Sequence, residues 1–97
     1  MYAIAIVRYR KPLEEVLNFV DGHRAYLKDL LDKGILLAGG PLDPRSGGAL
    51  LLRVPDEGGF QALDAVRDGD PFTQAGVAQY ELLPWEPHLG REAMDRL

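Results

Sequence analysis

His23 and Asp70 are the two side chains of this sequence best suited to move a proton together. An imidazole ionises close to neutral pH. A carboxylate bonded to one ring nitrogen fixes the tautomer and leaves the other nitrogen to take or give a proton. His23 stands in Asp21-Gly22-His23-Arg24-Ala25-Tyr26-Leu27, beside apolar residues Val20, Leu27, Leu30 and Leu31 that recur at helical spacings of three and four. The ring falls at Val20+3 and Leu27−4, where that pattern asks for a leucine. Two other segments could serve a ligand. Gly39-Gly40-Pro41 removes side chains where a ligand could approach the backbone, and Phe72 follows the carboxylate in Asp70-Pro71-Phe72.

Each of these features has an architectural alternative. A histidine on an apolar helix face can be a core residue with a satisfied hydrogen bond. Asp before Pro is a common turn starter. Gly-Gly-Pro at the end of a strand can be pure geometry, and it is not a phosphate-loop pattern. Other candidates fall away. His88, beside Pro87 in the tail, is expected to be exposed, and Ser46 lies in a Gly-rich turn with no histidine near it in sequence. Two histidines in such different settings do not make a metal site, so no metal is expected. The absence of cysteine excludes disulfides, thiolate nucleophiles and Cys-ligated zinc or iron–sulfur centres.

The elements that must position these residues follow from periodicity. Tyr2 to Tyr9 reads as a strand with Ile4 and Ile6 on one face and Ala3, Ala5 and Val7 on the other. A strand apolar on both sides is covered on both sides. Pro12 stops it, and Leu13 to Phe19 begins a helical pattern. Asp21, a good N-cap, is expected to restart it as a main helix from about Gly22 to Lys33, with Gly34 as its C′ residue. Ile35 to Ala38 is a second strand running into a Gly39-Gly40-Pro41 loop, and Ala49 to Val54 a third. Asp56 is expected to cap a second helix that buries Phe60, Ala62, Leu63, Ala65 and Val66. Val77 to Trp85 is the fourth strand, with Pro84 marking an edge.

The order β-α-β-β-α-β is the α+β, ferredoxin-like arrangement: a four-stranded antiparallel sheet with two helices on one face. It brings the start of the main helix, the end of the second strand and the entrance to the fourth strand to one edge. The candidate site residues share that edge. The bare sheet face, apolar as well, points to a homodimer through it. Tyr80 and Trp85 are expected to pack at that dimer face.

Composition sets the outer bounds. Ninety-seven residues make one domain, with a core of about 2–86 and a polar tail at 87–97. A net charge of −4 with eleven scattered basic residues argues against nucleic-acid partners. Only Arg8-Tyr9-Arg10-Lys11 concentrates positive charge, and it reads as the solvated end of a strand. No run approaches a membrane span, and Met1-Tyr2-Ala3-Ile4 lacks a basic n-region, so the expected compartment is the cytoplasm.

Three motifs, His23-Arg24-Ala25-Tyr26-Leu27, Gly34 to Pro41 (GILLAGGP) and Asp70-Pro71-Phe72 with Ala75-Gly76-Val77, together resemble the YciI-like (YCII-related domain) family. The resemblance covers about residues 2 to 86. It implies a protomer that assembles as a dimeric α/β barrel, with a His–Asp pair mapping onto His23 and Asp70 as the catalytic groups. The activity it implies is acid/base chemistry without a cofactor on a small organic molecule, as in a dehydrochlorinase of a chlorinated hydroxyhydroquinone. On this reading the chain is a lyase- or isomerase-like enzyme whose pocket is lined by Gly39, Gly40, Pro41 and Phe72. The alternative is a non-catalytic small-ligand-binding dimer module, in which the pair merely anchors helix to sheet and the core closes around His23.

Overall fold

Two-residue alternation decides how the first strand is used. In the computed structural model, which describes residues 1–97, β1 (Tyr2–Tyr9) buries Ala3, Ala5 and Val7 on one face and leaves Ile4 and Ile6 half-buried on the other. After it come α1 (Leu13–Val16), a 3₁₀ turn (Leu17–Phe19), α2 (Val20–Asp32), β2 (Leu36–Pro41) and β3 (Gly47–Arg53). Then follow α3 (Gly59–Gly69), α4 (Pro71–Gln74), β4 (Ala78–Trp85) and α5 (Arg91–Asp95). The four strands form one antiparallel sheet in the order β2-β3-β1-β4, the ferredoxin-like arrangement. Pro84 sits in edge strand β4, where its missing N–H costs the ladder least.

Leu30 of α2 and Leu63 and Val66 of α3 close over Ala3, Ala5, Leu50 and Leu52 of the sheet to make the core. Fully burying a leucine such as Leu52 or Leu63 contributes about 1.5–3 kcal/mol. The Tyr26 hydroxyl donates to the Val66 carbonyl at 2.6 Å and ties α2 to α3. Gly69 makes room beneath that ring: a Cβ there would meet the Tyr26 hydroxyl at 2.7 Å and force the ring to shift. At its C-terminus α2 ends in a Schellman turn: Gly34 adopts φ 74°, its N–H bonds Leu31, and the Ile35 N–H bonds Leu30.

Several sequence expectations are corrected. The interruption before the main helix falls at the 3₁₀ turn, not at Asp21-Gly22. Helix α2 begins at Val20 with Phe19 as N-cap and no side-chain cap. Asp56 does not cap α3; its carboxylate takes the N-terminal amine at 2.7 Å, and α3 starts behind Gly58 at φ 72°. Phe60 and Ala65 are exposed, because the buried positions Gly59, Leu63 and Val66 form a stripe that both residues miss. Gly39, Gly40 and Pro41 are not a loop. They continue β2 and pair with Leu50, Ala49 and Gly48.

The opposite sheet face carries Ile4, Ile6 and Leu51, half-buried, with Leu83 and Trp85 about 40% exposed. One end of that face is covered by the tail. The Tyr2 hydroxyl donates to Asp95 at 2.5 Å, the Arg53 guanidinium reaches the Leu97 carbonyl at 2.5 Å, and Arg91 lies over the Tyr2 ring. No helix of the chain is long and apolar enough to cross a membrane.

Candidate active site

Asp70 is the organising group. It sits between α3 and α4 with extended backbone (φ −75°, ψ 127°), and its carboxylate accepts the Phe72 N–H at 2.9 Å. An N-cap Asp followed by Pro at the first helical position is a strong start signal, so the local sequence itself places this carboxylate. Its solvent exposure is zero. A buried carboxylate needs its lone pairs filled, and three elements supply the donors. They are the α4 backbone, the Tyr80 hydroxyl from β4, and His23 Nδ1 from α2, which lies 2.8 Å from each carboxylate oxygen.

Tyr80 is therefore not at the sheet's open face as its sequence suggested. It pairs with Val7 on the helix-facing side and is buried there. Burial, reinforced by its hydrogen bond to Asp70 and that group's charge, pushes the Tyr80 phenol far above its ordinary range. The hydroxyl thus stays a donor. Burial and the Asp70 charge raise the Tyr26 phenol as well.

His23 lies in the first turn of α2 with its side chain 15% exposed. The ring stacks on Phe72, with centroids 3.8 Å apart and planes within 5°. Tyr9 meets the far side of this pair, its ring edge-on to Phe72 at 6.0 Å. Stacking and the Nδ1 bond together fix the ring's orientation. Nε2 has no protein partner and is not enclosed. His23 lines a cleft of about 350 Å³ between α2 and the sheet, and with Nδ1 committed to Asp70 it is Nε2 that is left free for a ligand there.

The cleft brings together His23, Gly39, Gly40, Pro41 and Phe72, all singled out by sequence; Asp70 lies behind His23, outside the lining. Sequence reasoning missed Tyr9, Val20, Arg24, Leu27 and Arg45, which also line it, and the supporting Tyr80. Parity was the available signal for the aromatic pair: Tyr9 shares a face with Val7, and Tyr80 with Ala78 and Leu82. The floor is part glycine backbone and part the Val7 and Leu50 side chains. Gly39 and Gly48 face the helices where Leu36 and Leu52 fill the same sheet face further along. At Gly47, φ is 156° and a Cβ would lie 1.7 Å from the Val7 carbonyl oxygen, so only glycine lets the hairpin close against β1 there. His88 is exposed, as expected, and no three His, Cys, Asp or Glu side chains cluster as a metal site.

The sequence matches the YCII-related domain over residues 1–86. The chain belongs to that family. Its fold is similar to that of the 5-chloro-2-hydroxyhydroquinone dehydrochlorinase from Burkholderia phenoliruptrix AC1100, solved in complex with 2,5-dihydroxybenzoquinone. The TM-score is 0.74, with 23% identity over 89% of this chain and 94% of that one. At that identity the likeness speaks to the fold. No curated protein matches the sequence. Within this YCII-related domain, the helix carrying His23 and the turn carrying Asp70 belong to the two halves of the βαβ repeat, and the topology brings them to one sheet edge.

Proposed function

We propose that this YCII-related domain is a lyase- or isomerase-like enzyme acting on a small organic molecule through His23 and Asp70. One observation carries the reading: His23 lines a cleft with Nδ1 bonded to a fully buried carboxylate and Nε2 left without a protein partner. Such an imidazole accepts a proton at Nε2, and Asp70 holds the tautomer and balances the imidazolium that results. In an elimination, Nε2 removes a substrate proton and that bond's electron pair forms the new double bond. The leaving group departs with its own pair, and the imidazolium returns its proton to solvent. The dehydrochlorination named for the similar structure is a reaction of this type. Asp70 is a positioning residue; Phe72 and the Gly39–Pro41 backbone shape the space for substrate.

The ligand-binding alternative requires a core closed around His23, and the cleft at Nε2 weighs against it. Screening small enolisable and halogenated compounds against wild type and His23→Ala tests the proposal. The expected result is turnover that drops by about 10²–10⁴-fold in the variant, the scale of general acid–base catalysis, with an unchanged circular-dichroism spectrum. Unfolding of His23→Ala, or undiminished turnover in it, would sink the idea. The assembly that goes with this reading is a homodimer packed through Ile4, Ile6, Leu51 and Leu83. Light scattering should give twice the protomer mass, and Ile6→Asp should halve it.

A further inference from the structure

The cleft has a charge signature of its own. The protein carries a net charge of −4, yet no acidic side chain lines the cleft, and the charged residues that do are Arg24 and Arg45. Arg24 follows His23 on the α2 wall. Arg45 stands in the turn between β2 and β3, which is held by backbone bonds from Leu42 to Gly47 (2.9 Å), Ser46 to Pro44 (2.7 Å) and Tyr9 to Ser46 (2.9 Å). Neither guanidinium is engaged by the protein: the arginine ion pairs of this chain belong to Arg8 and Arg67, and Arg53 bonds the tail. Two unpaired guanidiniums from two walls, over a floor of glycine backbone with Val7 and Leu50 and beside the Tyr9 and Phe72 rings, form a receptor for a flat molecule with an anionic edge. A volume of about 350 Å³ suits one substituted ring.

We infer that the cleft selects a small planar substrate bearing an anionic oxygen, carboxylate or phenolate, with Arg24 and Arg45 as its specificity-determining residues. The inference rests on the proton-transfer reading of His23 for the word substrate, but the charge selection can be measured without turnover. Calorimetric titration of the full chain with benzoate against benzamide, and with 4-nitrophenolate against 4-nitroanisole above neutral pH, reads it directly. At least one anion should bind about tenfold or more tightly than its neutral counterpart, a difference of about 1.4 kcal/mol. That preference should vanish in the Arg24→Gln/Arg45→Gln double variant and shrink with added salt. Both side chains are exposed and unpaired, so the variant keeps its fold. The two pairs of compounds distinguish carboxylate from phenolate.

Equal binding within both pairs, no binding of either anion at millimolar concentration, or a preference unchanged in the double variant overturns the inference. His23→Gln separates it from the catalytic proposal. Anion preference retained in that variant supports charge selection even if no compound is turned over. Turnover that needs His23 but is indifferent to Arg24 and Arg45 in both KM and kcat overturns the inference and leaves proton transfer standing.

Discussion

The two ends of the helix-facing side of the sheet are built to opposite rules. At one end Ala3, Leu36 and Leu52 join Leu30 and Leu63 in one buried cluster. At the other, the same strands continue as Gly39, Gly40, Pro41, Gly47 and Gly48, and α2 spans a cleft instead of a core. The closed end stabilises the fold through burial. The open end gives up that burial, and its order comes from one carboxylate bonded by three elements. Asp70 does with hydrogen bonds what Leu52 does with area.

That contrast is sharpest at Asp70. Asp70→Ala leaves the Tyr80 hydroxyl, the Phe72 N–H and His23 Nδ1 without their acceptor and removes the N-cap of α4. A loss of about 3–5 kcal/mol is expected in urea unfolding, the scale for breaking a buried polar pair from one side, together with loss of turnover. Leu52→Ala, at the closed end, should cost about 3 kcal/mol through lost burial and the cavity left behind. It should leave kcat per folded molecule unchanged. If Leu52→Ala alters kcat as strongly as Asp70→Ala, the two ends are not independent and the division fails.

The sequence showed the two ends unequally. Element order and the division of β1 into two apolar faces were legible, because alternation and turn residues record them directly; which face the helices cover was not. The His23–Asp70 pairing was legible too, once topology put the first turn of the main helix and the junction entering the fourth strand at one edge. Helix entries were not. Asp21 and Asp56 are good capping residues by type, but the 3₁₀ turn fixes where α2 begins and the N-terminal amine claims Asp56. Gly39–Pro41 read as a loop because Gly and Pro punctuate chains. In edge strand β2 they can still pair, since Pro41 gives up only one donor and β3 supplies the partners. Tyr80 was misplaced because an aromatic residue near an expected interface looks like packing. Its role depends on a hydrogen bond ten residues back in the chain, which no local pattern records.

Tyr80 also links the open end to pH. Its phenol is pushed up by burial first and by Asp70 second, whereas in the unfolded chain it ionises near its ordinary value of about 10. Above that pH the unfolded chain gives up a proton that the folded chain keeps, so the folded state binds more protons and stability falls as pH rises. The contribution is complete below about pH 10 and is lost above it by up to about 1.4 kcal/mol per pH unit. Tyr80→Phe should cost about 1–2 kcal/mol near neutrality and flatten the alkaline decline seen by urea unfolding. Tyr26, raised in the same direction, leaves a shallower residual slope. An alkaline decline equally steep in Tyr80→Phe would show that ionisation of this phenol is not what drives it.

The smallest expected change in stability comes from filling the glycine floor. A Cβ at Gly39 would lie 2.9 Å from Leu50 Cδ2 and 3.5 Å from Leu36 Cδ1, the movable ends of two side chains. At Gly48 it would meet the Gly40 carbonyl oxygen at 3.0 Å, and backbone yields less readily. Gly39→Ala therefore keeps the strand, and its cost should stay within about 1 kcal/mol, since Ala also narrows the unfolded ensemble. What it changes is space: Leu50 lines the cleft, and moving it narrows the site under His23. KM for a substrate found in the His23 screen should rise several-fold in Gly39→Ala with Tm nearly constant. A fall in Tm with KM unchanged would mean that glycine serves the ladder at this end and not the ligand.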